Sequence, residues 1–77
     1  MVNYNILGVK LIGKENSVEF QKILTKYNHM IMSRFGHHDE KNNDGVIMLL
    51  MRTHDDLEHL KRDLKKIDSI KLSEMVL

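Results

Sequence analysis

Five histidines stand in a chain of 77 residues that contains no cysteine. Imidazole nitrogens and carboxylate oxygens are therefore the metal ligands on offer, and thiolate sites, cysteine nucleophiles and disulfides are excluded. The densest run is His37-His38-Asp39-Glu40. Adjacent side chains in an extended segment point to opposite faces, so His37 and His38 do not readily share one ion. With their acidic neighbours they still form a polar cluster able to recruit a divalent ion across two subunits, and they are the candidate metal ligands. His29 opens the second predicted strand and His54 closes the third, so an intervening hairpin brings the two near each other. His54 also lies four residues before Glu58, and Asp55 four before His59. None of these spacings matches a zinc signature, and solvated polar residues in loops and on a helix surface are the simpler account of them. The residues name no cofactor and require none, and a divalent metal is compatible with them.

A second candidate is the loop Gly13-Lys14-Glu15-Asn16, which leads into the first predicted helix. Exposed backbone N–H groups and the helix dipole at such a place hold a carboxylate or phosphate. Gly13 also serves as ordinary loop punctuation. Ser33, Arg34 and Tyr27 have no recognisable base or nucleophile partner, so hydrolase or transferase chemistry has little support and a non-enzymatic role is expected.

The elements that must position these groups follow from periodicity. Tyr4–Ile12 is rich in β-branched and apolar residues, with Leu7, Val9 and Leu11 on one face of a strand. Asn16 and Glu19 have capping-box spacing, and Phe20, Ile23, Leu24 and Tyr27 form an apolar helical stripe from about Ser17 to Lys26. Asn28 is a suitable helix stop. His29–Phe35 reads as a second strand and His37–Asp44 as a polar hairpin closing on Asp44-Gly45, where a glycine supplies positive φ. Val46–Arg52 is the third strand. Thr53 or Asp55 caps a second helix, Asp55 pairing with Glu58, and Leu57, Leu60, Leu64 and Ile67 line its apolar face. Ser69–Val76 closes as a fourth strand.

The order β-α-β-β-α-β predicts one ferredoxin-like, ACT-like α+β domain over residues 1–77. Its four-stranded antiparallel sheet carries both helices on one face, with the first and third strands central. A solvated second face should be polar at alternate positions. The third strand is apolar on both sides, Val46, Met48 and Leu50 against Ile47, Leu49 and Met51. Ile6 adds to the uncovered face. In the second strand Met30 and Met32 alternate with Ile31 and Phe35. Monomeric soluble proteins rarely leave large apolar patches bare. Ile47, Met48, Leu49 and Leu50 are therefore the candidate oligomer-interface residues.

Twelve Lys and Arg against eleven Asp and Glu give a net charge of +1, too balanced for a dedicated nucleic-acid binder. The longest apolar run, Val46–Met51, is six residues, far short of the roughly 20 that cross a bilayer. The first residues lack the pattern of a secretory signal, so a cytoplasmic protein without membrane contact is expected. The six methionines suit a core or an interface better than copper ligation.

The segment Met30–Thr53, M-I-M-S-R-F-G-H-H-D-E-K-N-N-D-G-V-I-M-L-L-M-R-T, resembles the middle of small proteins assigned as regulators of the iron-only hydrogenase system. The shared features are Arg34-Phe35-Gly36, the charged hairpin, the apolar third strand and the helix after it. Lys65–Ile70 departs from that pattern, which has a glycine-containing turn there. The resemblance implies a stand-alone ACT-like domain, related in fold to the C-terminal domain of the nickel-responsive repressor. It also implies a sensing homo-oligomer, dimer or tetramer, with a small molecule or metal at a subunit interface. The nickel-responsive relatives bind metal with histidines and a cysteine, and this chain has no cysteine. ACT-type domains bind amino acids near the loop that corresponds to Gly13–Asn16. No DNA-reading segment is present, so an effect on transcription would pass through a partner. The two other readings are a structural protein-interaction module and a small histidine-based metal-binding protein.

Overall fold

Alternation in the first strand decides which side of the sheet the helices cover. In the computed structural model, which describes residues 3–13 and 15–77, Leu7, Val9 and Leu11 all point under the helices and are buried. The elements run β1 (Tyr4–Ile12), α1 (Ser17–Lys26), a 3-10 turn (Asn28–Met30), β2 (Ile31–Asp39), β3 (Asp44–Arg52), α2 (Leu57–Lys65) and β4 (Ile70–Val76). The sheet order is β2-β3-β1-β4 and every pairing is antiparallel, which is the ferredoxin-like α+β arrangement with β1 and β3 in the centre.

The core is one layer between the sheet and the two helices. Phe20, Ile23 and Leu24 of α1 and Leu57, Leu60 and Leu64 of α2 pack on β1 and on Leu49 and Met51 of β3. Tyr27, Met30 and Ile67 close its ends. Among the described residues the one polar side chain buried with them is Asn5. Its amide donates to Glu74 Oε2 at 2.9 Å and its oxygen accepts from the Thr53 hydroxyl at 2.6 Å, so both its nitrogen and its oxygen have a partner. Glu74 in turn holds Lys61 of α2 at 3.1 Å, which ties β4 to the helix layer.

Local polar chemistry differs from the sequence expectation at four places. Neither predicted capping box forms: no side chain caps α1 or α2, and Asn16 instead donates to the Asp68 carbonyl at 2.8 Å, across the sheet end. The second strand begins at Ile31, because His29 and Met30 are wound into the 3-10 turn. The hairpin is tighter than predicted, since His37–Asp39 continue β2 and only residues 40–43 form the turn. Positive φ falls on Asn43 (57°) rather than on Gly45, and Asp39 organises the turn by accepting from the Lys41 N–H and the Asn42 amide. Asn tolerates that left-handed conformation, which frees Gly45 for the strand.

An irregularity at Met32 sets the phase of β2. Ile31 pairs with Met51, yet Ser33 already pairs with Leu50, so one residue is inserted. Without it Ile31 and Phe35 would share a face. With it Ile31 packs against the core, while Phe35, opposite Met48, stands on the open side, 67% exposed.

The helix layer is also tied by a polar contact at its surface. The Tyr27 hydroxyl donates to Asp63 Oδ2 at 2.6 Å, and Lys26 approaches the same oxygen at 3.3 Å. Together they hold the Asp63 carboxyl below its usual value, the tyrosine bond being the larger cause. A depressed folded-state pKa contributes stability above the unfolded value of 3.8 and loses it as pH falls through the folded value. Asp63→Asn is therefore expected to be less stable than the parent at pH 7 and to lose less stability between pH 4 and pH 2. Urea titrations at the two ends of that window measure the difference.

Candidate functional site

Three features of this frame have the chemistry of a site: a groove on the helix side, a histidine cluster at one sheet end, and the open face of the sheet.

The groove, of about 380 Å³, lies between α1 and the β2–β3 hairpin. Leu11, Phe20 and Ile47 make its floor, and Gly13, Gly36 and Gly45 keep it open. Gly36 and Gly45 both sit on the helix side, where an added Cβ would stand 3.7 Å from Ile47 and project toward this space. Ser17, Gln21, His37 and His38 give it a polar border. The groove thus gathers residues from two separate predictions. Of the predicted loop, Gly13 lines it, with φ of 86° and its N–H donated to the Asn43 carbonyl at 3.0 Å. The Glu15 carboxylate folds back over Gly13, as close as 2.5 Å to where a Cβ would lie. Asn16 turns away to Asp68, and Lys14 lies outside the described residues. His37 pairs with Val46 and His38 with Gly45, so the two rings leave opposite sides of the sheet, as adjacent strand residues must. Only His38 is on the side of the groove, so the two do not form a common ligand set.

The histidine cluster lies elsewhere. The 3-10 turn after α1 brings His29 to the loop between β3 and α2, where Asp56 is the hub. His29 Nε2 is 3.1 Å from Asp56 Oδ2, His54 Nδ1 is 3.9 Å from the same oxygen, and His59 Nδ1 is 3.5 Å from Oδ1. The Asp56 N–H also donates to His54 Nδ1 at 3.0 Å, and the His29 and His54 rings meet edge-on at 5.3 Å. One donor atom from each of His29, His54 and Asp56 lies within 4.8 Å of the other two. The hydrogen bond from His29, then that from His59 and the charge of His54, draws the Asp56 carboxyl below its usual value. The approach of His29 to His54 is the one expected from the hairpin. Asp56 was not among the expected partners, and the reason is where α2 begins. Leu57 is its first residue, so residues 54–56 precede the helix and the four-residue helical pairings do not apply to them. Glu58 is bound to Lys61 at 2.9 Å.

The open face carries Ile6, Val46, Met48 and Leu50 from the central strands, with Phe35 and Met75 beside them. Ile6, Phe35, Met48 and Leu50 surround a shallow depression of about 230 Å³. Lys10, ion-paired with Asp44 at 3.8 Å, lies on the same face toward the hairpin end, opposite Lys71. The structure divides the four predicted interface residues. Met48 and Leu50 are on this face. Ile47 and Leu49 are not: they face the helices, Leu49 fully buried and Ile47 packed against the core. Strand alternation permits one pair or the other, and β1 settles which, since Leu7 and Leu49 are register partners under the helices.

No protein-family model matches the chain, and no curated protein is significantly similar to it. Among solved structures it is similar to the uncharacterized protein TM1266 from Thermotoga maritima, with a TM-score of 0.88 at 20% identity over 100% of this chain and 99% of that one. A formyltetrahydrofolate deformylase from Pseudomonas putida KT2440 is similar with a TM-score of 0.66 at 13% identity, the match covering 94% of this chain and 28% of that one. The de novo designed protein Foldit4 is similar at 0.69 and 13% identity. These likenesses show the fold. Among the described residues no helix is long and apolar enough to cross a membrane.

Proposed function

We propose that the chain is a small regulatory domain that works as a homo-oligomer and senses a small organic molecule. The observation that carries this reading is the open sheet face, whose occupant is a second copy of the chain. Phe35, Met75, Met48 and Val46 are 67%, 54%, 48% and 45% exposed on it. Such side chains lose favourable burial for as long as the face stays wet, roughly 25 cal/mol for each Å². Lys10, Asp44 and Lys71 lie beside this apolar centre, an arrangement common to protein interfaces. A 77-residue domain has little stability in reserve, so association adds substantially to it.

The groove beside α1 supports the sensing half. An apolar floor with a bordering serine, glutamine and the His38 ring suits a compact molecule with an apolar body and a polar end, and an amino acid is the class that fits. The resemblance to regulators of the iron-only hydrogenase system points the same way, with transcription reached through a protein partner.

Light scattering tests the assembly: the solution mass is expected to be a multiple of 9.1 kDa, with or without EDTA. A mass of one chain at micromolar concentration would overturn the reading. A thermal-shift panel of amino acids tests the ligand class, a binder raising Tm by mass action. A flat panel would leave a structural interaction module in place of a sensor.

A further inference from the structure

We infer that His29, His54 and Asp56 form a binding site for one first-row divalent cation of the Zn²⁺, Co²⁺, Ni²⁺ class, with positions left open on the metal. Two imidazoles and one carboxylate are borderline donors that match these ions better than Mg²⁺ or Ca²⁺, which favour all-oxygen shells. The donors come from two segments 27 residues apart and are assembled by the fold, His29 from the 3-10 turn and the other two from the loop before α2. Ligands about 2.0–2.1 Å from a tetrahedral ion lie roughly 3.3 Å from one another. His29 Nε2 and Asp56 Oδ2 are already 3.1 Å apart, and one donor atom from each of the three residues lies within 4.8 Å of the others. Side-chain rotations therefore close the set around an ion, His54 Nδ1 giving up the bond it accepts from the Asp56 N–H if it is the ligand.

Three protein ligands leave the coordination incomplete, which is the arrangement of a site that takes water or a further ligand at the metal rather than of a closed structural one. His59, 3.5 Å from the second Asp56 oxygen, is within reach of a fourth position after a ring rotation. The remaining side opens to a cavity of about 400 Å³ that His29, Asp56 and His59 border together with Arg62, so water or a small anion has access. All the donors belong to one chain, so the ion is not needed to hold copies together, and this inference stands or falls separately from the proposed assembly.

Isothermal titration of the metal-free chain with Zn²⁺ and with Co²⁺ is the test. One equivalent per chain is expected, and His29→Ala and Asp56→Asn should each weaken binding by roughly tenfold or more, as even changes outside the ligand set do at metal sites. The double variant His37→Ala/His38→Ala should bind as the parent does. All the ligands are at least 40% exposed, so the substitutions are tolerated by the fold, which circular dichroism verifies. A second readout needs no variant: Co²⁺ should broaden and shift the ring resonances of His29 and His54 in the parent protein and spare those of His37 and His38. Absence of saturable binding, or Co²⁺ effects centred on His37 and His38, would overturn the site.

Discussion

Replacing Phe20 with alanine is expected to cost about 3–5 kcal/mol of folding stability, the range for deleting a buried aromatic ring. Phe20 is the largest side chain fully enclosed in the single core layer, with 0% exposure between α1 and the sheet. Its removal leaves a cavity between α1 and the sheet that the surroundings fill only in part. A domain of this length has about 4–12 kcal/mol in total, so the loss takes much of what there is. With a urea slope of roughly 1 kcal/mol/M or slightly more for so small a chain, the unfolding midpoint should fall by more than 2 M at fixed protein concentration. Phe35→Ala is the control. It removes the same ring from a position 67% exposed on the open face, and in dilute monomer the change should be well under 1 kcal/mol. Equal losses at Phe20 and Phe35 would mean that the sheet face is as deeply buried as the core.

The contrast between these two phenylalanines separates what is legible in the sequence from what is not. Apolar periodicity is decided within a few residues, and it places both helices, Ser17–Lys26 among them, and the buried faces of β1 and α2. Phe35 escapes that logic because a single inserted residue at Met32 inverts the alternation, and nothing in I-M-S-R-F marks which position yields. Polar side chains escape it for a different reason. Asn16 has capping spacing, yet its best partner is a carbonyl 52 residues away, and a local pattern cannot weigh a bond that exists only after folding. The same holds for the candidate sites. That His29 and His54 converge follows from the hairpin topology. That Asp56 is the residue between them depends on the turn by which the chain enters α2. The groove likewise needed the hairpin to fold over α1 before Gly13 and His38 had anything to do with each other.

Charge placed on the two sides of β3 should have opposite consequences, and this pair of substitutions is the sharpest test of the open face. Met48→Lys puts an ammonium on the bare side, opposite Phe35 and Gly8, where water already reaches. The fold keeps its core, because no residue under the helices changes, and the monomer should retain its far-UV spectrum and unfold cooperatively. An interface at this face would have to bury that charge unpaired in every copy, a penalty of several kcal/mol that an assembly cannot absorb. The light-scattering mass is therefore expected to fall to 9.1 kDa. Ile47→Lys, one residue earlier, faces the helices instead and packs beside Leu11 and the core. It loses part of the roughly 1.5–3 kcal/mol that burial of an isoleucine side chain provides, and it must also route an ammonium out through the groove beside α1. Its signature is a lower Tm, with assembly weakened only as far as folding is. If Met48→Lys keeps the parent mass while Ile47→Lys alone is destabilised, copies do not meet across the sheet. The exposed edges of β2 and β4 would then be the next surfaces to test, each with a row of backbone groups not paired within the sheet that a strand of another copy can take up.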